Sequence, residues 1–230
     1  LRKVLLLPLA KKFMLKRHYR RQGEILRLIL DTHDRYIMLT PSNIKELEFF
    51  IGKYRSERVM VLPNSIPQID PVKFDDKKKV LVHVGRLNTV QKKSELLIPL
   101  WKKIADRLPD WNFVIVGEGP HYDTMKAEAE NIDRIQLVGY QNPSEYYKQA
   151  QLFIMPSAYE GFPNTLIEAQ SYGCFPFVFD SYAALRDIVS DENAGISEPF
   201  DLQNMANQIV EVALDEAQAK SRFEAAQANA

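Results

Sequence analysis

The sequence predicts an α/β fold: a parallel sheet with helices packed on both faces. Three observations carry this. Short apolar runs alternate with helix-like stretches along most of the 230 residues, the pattern left by right-handed strand–helix–strand crossovers. The runs are rich in Val, Ile and Phe and nearly continuous rather than alternating, as strands covered on both faces are. The composition, 46% hydrophobic and 26% charged, suits a chain that buries a sizeable core.

The elements follow in order. Residues 1–22 hold eight Lys or Arg (Arg2, Lys3, Lys11, Lys12, Lys16, Arg17, Arg20, Arg21) and no acid. They are interleaved with Leu, Val, Phe, Met and Tyr, which fits either a basic amphipathic segment against anionic lipid or a solvated basic helix. Strands are expected at 36–40, 59–62, 80–84, 113–116, 135–138, 152–155 and 174–179. Helices are expected at 42–52, 92–108, 121–130, 144–150, 164–172, 182–189 and from 201 to about 226. Pro41-Ser42 with Glu46, and Asn142-Pro143-Ser144, supply helix starts, and Gly173 supplies a stop. Three prolines between 63 and 71, then a charged run over 75–79, mark a hinge. The division expected is therefore residues 1–64 as the end of a preceding domain, 65–79 as linker, and 80–230 as the α/β domain. The chain opens on Leu1, so a longer parent protein is expected.

Several classes are excluded. A net charge of zero gives no overall attraction to nucleic acid. The lone Cys174 allows neither an internal disulfide nor a thiolate metal cluster, and fits a reducing, cytoplasmic setting, with a peripheral position at the inner membrane face if the basic segment touches lipid. No apolar run approaches the ~20 residues of a membrane span.

In open parallel sheets, ligands bind beyond the carboxyl ends of the strands. Four consecutive strand ends here carry small, charged or aromatic residues: Gly85-Arg86-Leu87 followed by Gln91-Lys92-Lys93, then Gly117-Glu118-Gly119-Pro120, Gly139-Tyr140, and Pro156-Ser157 leading into Glu160-Gly161-Phe162-Pro163-Asn164-Thr165. Taken singly, each has a plain reading: a tight turn for Gly117-x-Gly119, surface charge for Arg86 and Lys92, a helix-start acid and a solvated face for Glu160 and Glu168, a hydrogen-bonded core residue for His83. The missing third glycine argues against a dinucleotide fingerprint. Together they suit a nucleoside diphosphate carrying a sugar. Arg86, Lys92 and the amides from Gly161 to Thr165 form an anion cradle. Two carboxylates, Glu160 and Glu168, each accept from a pair of hydroxyls. No Asp-x-Asp pair follows a strand, so no metal and no cofactor are expected.

Glu160-x7-Glu168, written Glu-Gly-Phe-Pro-Asn-Thr-Leu-Ile-Glu-Ala, resembles the signature of family 4 retaining glycosyltransferases (glycosyl transferases group 1). Gly85-Arg86-Leu87, Val116 to Pro120, Val138-Gly139-Tyr140, Phe153 to Ser157 and Leu62-Pro63-Asn64 fall in that family's order. The resemblance implies the C-terminal, Rossmann-like half of a two-domain GT-B hexosyltransferase plus a remnant of its N-terminal domain. It implies an NDP-sugar donor and a saccharide or lipid-linked acceptor, in polysaccharide or glycoconjugate synthesis. By position, Arg86 and Lys92 would neutralise the leaving diphosphate, Glu168 would hold the ribose and Glu160 the sugar. Gly161, Phe162, Pro163 and Asn164 would line sugar and phosphate, and Thr165 would add a phosphate contact. Gly85, Gly117 and the Gly139-Tyr140 backbone would border the nucleotide. Two departures stand out: a longer 85–92 loop, which leaves Lys92 and Lys93 as rivals, and Asp180-Ser181-Tyr182-Ala183-Ala184-Leu185 where relatives carry Gly-Gly-x-x-Glu. Most of the acceptor half is absent, so the chain is expected to bind donor without efficient transfer. The other readings are a sugar-nucleotide-binding module without transfer, and an epimerase or phosphorylase on a related fold.

Overall fold

A computed structural model describes residues 8–229 apart from 67 and 71, with side chains from residue 15 onward. Arg2 and Lys3 of the basic segment, and the side chains of Lys11 and Lys12, lie outside that description. The chain forms two compact units, 1–64 and 65–230.

In the first unit, α1 (Pro8–Thr32) and α2 (Pro41–Ile51) flank a parallel pair, β1 (Tyr36–Met38) and β2 (Val59–Val61). Leu30, Leu47 and Ile51 make its small core. The helix α2 starts one residue earlier than expected, with Thr40 at the cap position and Pro41 in the first turn. Proline's fixed φ suits that turn and its missing N–H costs nothing there.

The second unit is a six-stranded, all-parallel sheet. Its strands are β3 (Lys78–Val84), β4 (Asn112–Val116), β5 (Ile135–Gly139), β6 (Ala150–Met155), β7 (Phe175–Phe179) and β8 (Gly195–Ser197). Between them run α3 (Leu97–Ile104), α4 (Tyr122–Ala129), α5 (Ser144–Gln149) and α6 (Asn164–Ser171), and α7 (Leu202–Leu214) and α8 (Glu216–Asn229) follow. The order β5-β4-β3-β6-β7-β8 reverses direction between β3 and β6. Alternate residues of each strand feed two separate cores. Leu81, Phe113, Phe175 and Phe177 pack with α3 and α7 on one face, and Val82, Phe153 and Val178 pack with α5 and α6 on the other. The α/β expectation holds.

Several details differ. The β8 edge strand, three residues long, carries too little pattern to be read from sequence. The expected helix at 92–108 begins with a 3-10 turn at Ser94–Leu96, because Lys93 takes a left-handed φ of 51°. Residues 182–189 give a 3-10 turn, Ala183–Asp187, in place of an α-helix. The long C-terminal helix breaks at Asp215, whose carboxylate accepts from the Gln218 N–H and starts a new helix there. The end of the expected linker belongs to the sheet unit: Phe74 meets Phe223 edge to face, and Lys77 is buried, donating to the Tyr147 and Ala150 carbonyls.

Candidate functional site

A doubly wound sheet opens a crevice where strand order reverses, because the loops leaving the two central strands turn to opposite faces. Here those loops follow β3 and β6, and they carry Arg86 to Lys93 and Pro156 to Asn164. The two loops are tied together. Ala158 N–H donates to the Gln91 carbonyl at 2.7 Å, and the Gln91 side-chain amide donates to the Tyr159 carbonyl and to a Glu160 oxygen at 3.3 and 3.1 Å. Lys92 reaches the other Glu160 oxygen at 2.6 Å. The pair is largely enclosed, with side chains 16% and 7% exposed. Lys93 points elsewhere, 3.6 Å from Glu95 and over the Phe200 ring. Arg86 is exposed and pairs with no acid among the described residues.

Backbone geometry explains the glycines at the ends of β4 and β5 but not Gly85, where a Cβ would make only ordinary contact with the His83 ring. Gly85 N–H donates to Val116 O, Gly117 N–H to Gly139 O and Leu87 N–H to Glu118 O. A Cβ on Gly117 would collide with the Gly85 carbonyl, and its φ of +137° disfavours any other residue. Gly139 has φ +71°, and the following Tyr140 N–H is taken by a Glu118 oxygen at 3.3 Å while its ring stands in solvent. Gly161 differs: a Cβ there would meet nothing within 4 Å, so packing does not require the glycine and the space in front of it is open.

After Gly161 and Phe162, Pro163 caps α6, and the Leu166 and Ile167 amides fold back onto the Pro163 carbonyl. Asn164 is exposed and Thr165 half-buried in the first turn. The carbonyl of Thr165 accepts from Tyr147. Glu168 sits one turn in, half-buried, its carboxyl raised above the usual range by burial and partly held down by the Tyr147 hydroxyl at 3.5 Å. It opens on a cavity of about 270 Å³ lined by Ile66, Ile69, Pro143, Ser144, Tyr147 and Tyr172.

The structure thus brings Lys92 and Glu160 together and sets Glu168 on a neighbouring cavity. Gln91 and Glu118 stood inside the strand-end motifs without a role of their own and Tyr147 was missed; their polar partners lie on distant loops, which residue order alone does not reveal. His83 is fully buried, with Nδ1 2.9 Å from the Ile154 carbonyl. That agrees with a core histidine.

Residues 66–229 match the family model described as glycosyl transferases group 1. The chain is 26% identical over 186 residues to an uncharacterized glycosyltransferase of Haemophilus influenzae, covering 77% of this chain and 51% of that protein. It is 28% identical over 171 residues to the amylovoran biosynthesis glycosyltransferase AmsD of Erwinia amylovora, covering 72% of this chain and 46% of the relative. Among solved structures, a variant of S. aureus TarM in complex with Fondaparinux, alpha-GlcNAc-glycerol and UDP matches with a TM-score of 0.79 at 22% identity, over 90% of this chain and 42% of that one. At that identity the likeness speaks to the fold alone. The chain spans about half the length of the curated relatives it matches.

Proposed function

The chain belongs to the glycosyl transferases group 1 family, and on that premise we propose that it is the donor-binding half of a retaining, metal-independent transferase. The reaction moves a hexose from a nucleoside-diphosphate sugar to a saccharide or lipid-linked acceptor, in polysaccharide or glycoconjugate synthesis. The observation that carries this reading is the enclosed Lys92–Glu160 pair at the point where strand order reverses. On this reading the pair holds a cation for the leaving diphosphate beside a carboxylate for the sugar. Lys92, exposed Arg86 and the first amides of α6 would neutralise developing charge on the diphosphate, the electrostatic work a metal performs elsewhere. Glu168 would accept from the ribose hydroxyls, next to its cavity. Gly161 leaves room for the sugar, with Phe162, Pro163, Asn164 and Thr165 around it and Gly85, Gly117, Gly139 and Tyr140 toward the nucleotide. UDP in the TarM complex makes UDP the first ligand to try, and the name of the Erwinia relative supports a polysaccharide product. Since the chain spans about half its relatives' length, acceptor contacts are assigned to the other half, and the chain alone binds donor without efficient transfer.

Calorimetry or thermal shift against UDP, GDP, ADP and their hexose conjugates tests the reading. A binding ligand at a hundredfold excess over its Kd stabilises by about 2.7 kcal/mol, and no response to any of them overturns it. In the full-length protein, Glu168→Ala and Arg86→Ala are each expected to weaken donor binding by about 1–3 kcal/mol. Unchanged affinity in both removes the site assignment.

A second reading concerns the first unit. Tyr19 and Phe49 are exposed and meet edge to face at 5.6 Å, beside exposed Lys16, Arg17, Arg20 and Arg21. No described helix is long and apolar enough to cross a membrane, so contact with anionic lipid would be peripheral. Salt-sensitive co-sedimentation with phosphatidylglycerol vesicles, lost in a Lys16/Arg17/Arg20/Arg21→Gln variant, is the expected result. Equal sedimentation of both proteins rejects it.

A further inference from the structure

Buried polar atoms in folded proteins nearly always have partners. Three that have none, His83 Nε2, Ser157 Oγ and the Tyr182 hydroxyl, sit at the carboxyl ends of β3, β6 and β7, which lie side by side in the sheet. Tyr182 is the one whose chemistry bears on the proposed reaction. It is extended at φ −150° and ψ 150°, just before the Ala183–Asp187 turn. Its loop is fastened to the β6 loop by Ser181 Oγ, which donates to the Ser157 carbonyl at 2.7 Å. Burial pushes the Tyr182 hydroxyl well above the usual phenol range, and the Glu160 charge adds to it.

Glu160 has Lys92 on one oxygen and Gln91 on the other. On the reading above, a bound diphosphate draws Lys92 to itself. That leaves a carboxylate only 7% exposed without its cation, a costly state unless another donor replaces it. A carboxylate is acceptor-only, with about four lone-pair sites. A phenolic hydroxyl that is buried and unpaired, next to the residue that ties its loop to the one carrying Glu160, is the donor the fold supplies.

We infer that Tyr182 is a positioning residue, whose hydroxyl takes hold of Glu160 when Lys92 turns to the diphosphate and so fixes the carboxylate that receives the donor's sugar hydroxyls. The inference rests on the proposed donor site, and its test separates the two.

The experiment measures affinity for whichever of UDP, GDP or ADP binds, and for its hexose conjugate, in wild type, Tyr182→Phe, Glu160→Gln and the double variant. Tyr182→Phe removes an unpaired buried hydroxyl, so the empty variant is expected to melt no lower than wild type. It is expected to bind both the bare diphosphate and its hexose conjugate about tenfold more weakly, the lower end for a hydrogen bond to a charged group, because either ligand draws Lys92 away from Glu160. In the Glu160→Gln background, Tyr182→Phe is expected to cause no further loss. Unchanged affinity for the conjugate in Tyr182→Phe overturns the inference. So does the same loss in the Glu160→Gln background. If wild type binds none of these ligands, the donor site itself is rejected and Tyr182's role falls with it.

Discussion

Acid is expected to destabilise this protein through the buried His83 imidazole, and the size of the effect follows from its surroundings. His83 is completely buried on β3. Its Nδ1 lies 2.9 Å from the Ile154 carbonyl, a contact that requires the proton on Nδ1 and leaves Nε2 as an unpaired acceptor near Gly85. Burial lowers the imidazole from 6.5 to about 4, against the opposing pull of the Ile154 carbonyl and with further lowering by the Lys92 charge. Between those values the unfolded chain takes up a proton that the native state refuses, so stability falls as pH drops through the window and levels off below about 4. At about 1.4 kcal/mol per pH unit, the loss is about 2 kcal/mol by pH 5 and roughly 3 by pH 4. Urea unfolding of wild type and His83→Asn at pH 7 and pH 5 measures it; Asn keeps a donor near the Nδ1 position and does not titrate. Wild type is expected to lose about 2 kcal/mol more than the variant between the two pH values. Glu168, raised by burial, acts in the opposite sense and cancels in the comparison. An equal fall in both proteins would refute the reasoning.

Two further outcomes follow from the site's packing. Lys92→Met strands the enclosed Glu160 carboxylate and is expected to cost about 3 kcal/mol, the lower end for a buried pair broken on one side, while Lys92→Met/Glu160→Gln recovers most of it in the same denaturation assay; additive losses would mean the two residues do not act as a pair. Gly117→Ala drives a Cβ into the Gly85 carbonyl at a φ of +137°, so its melting temperature is expected to drop by an amount equivalent to more than about 1 kcal/mol, and an unchanged value would show that the β3 and β4 loops yield there.

The sheet was legible because its strands are covered on both faces. Runs such as Val80 to Val84 and Phe175 to Phe179 must be apolar at nearly every position, and that leaves a continuous signal. What escaped was decided by backbone geometry that residue type records weakly. Lys93 in the left-handed region delays α3, and nothing about a lysine announces that. Asp215 restarts a helix by capping it, yet in sequence it looks like one more polar residue on an amphipathic face. Gly195–Ser197 becomes a strand because the edge of β7 is open to it, not through its own pattern.

The site was legible in its parts but not in its state. Chain order placed cations after β3 and carboxylates after β6, and reversal of strand order between them makes those loops neighbours. Sequence reasoning gave each charge a ligand group of its own, the phosphate for Lys92 and the sugar for Glu160. Two largely enclosed opposite charges are costly apart, however, and across 68 residues of chain they neutralise each other. On the proposed reading, donor binding is therefore an exchange of partners. Whatever replaces Glu160 at Lys92 must be at least as good an acceptor, which a diphosphate is and a neutral sugar is not. The pair would then act as a filter: the nucleotide portion must arrive to release Glu160 before the carboxylate can engage the sugar.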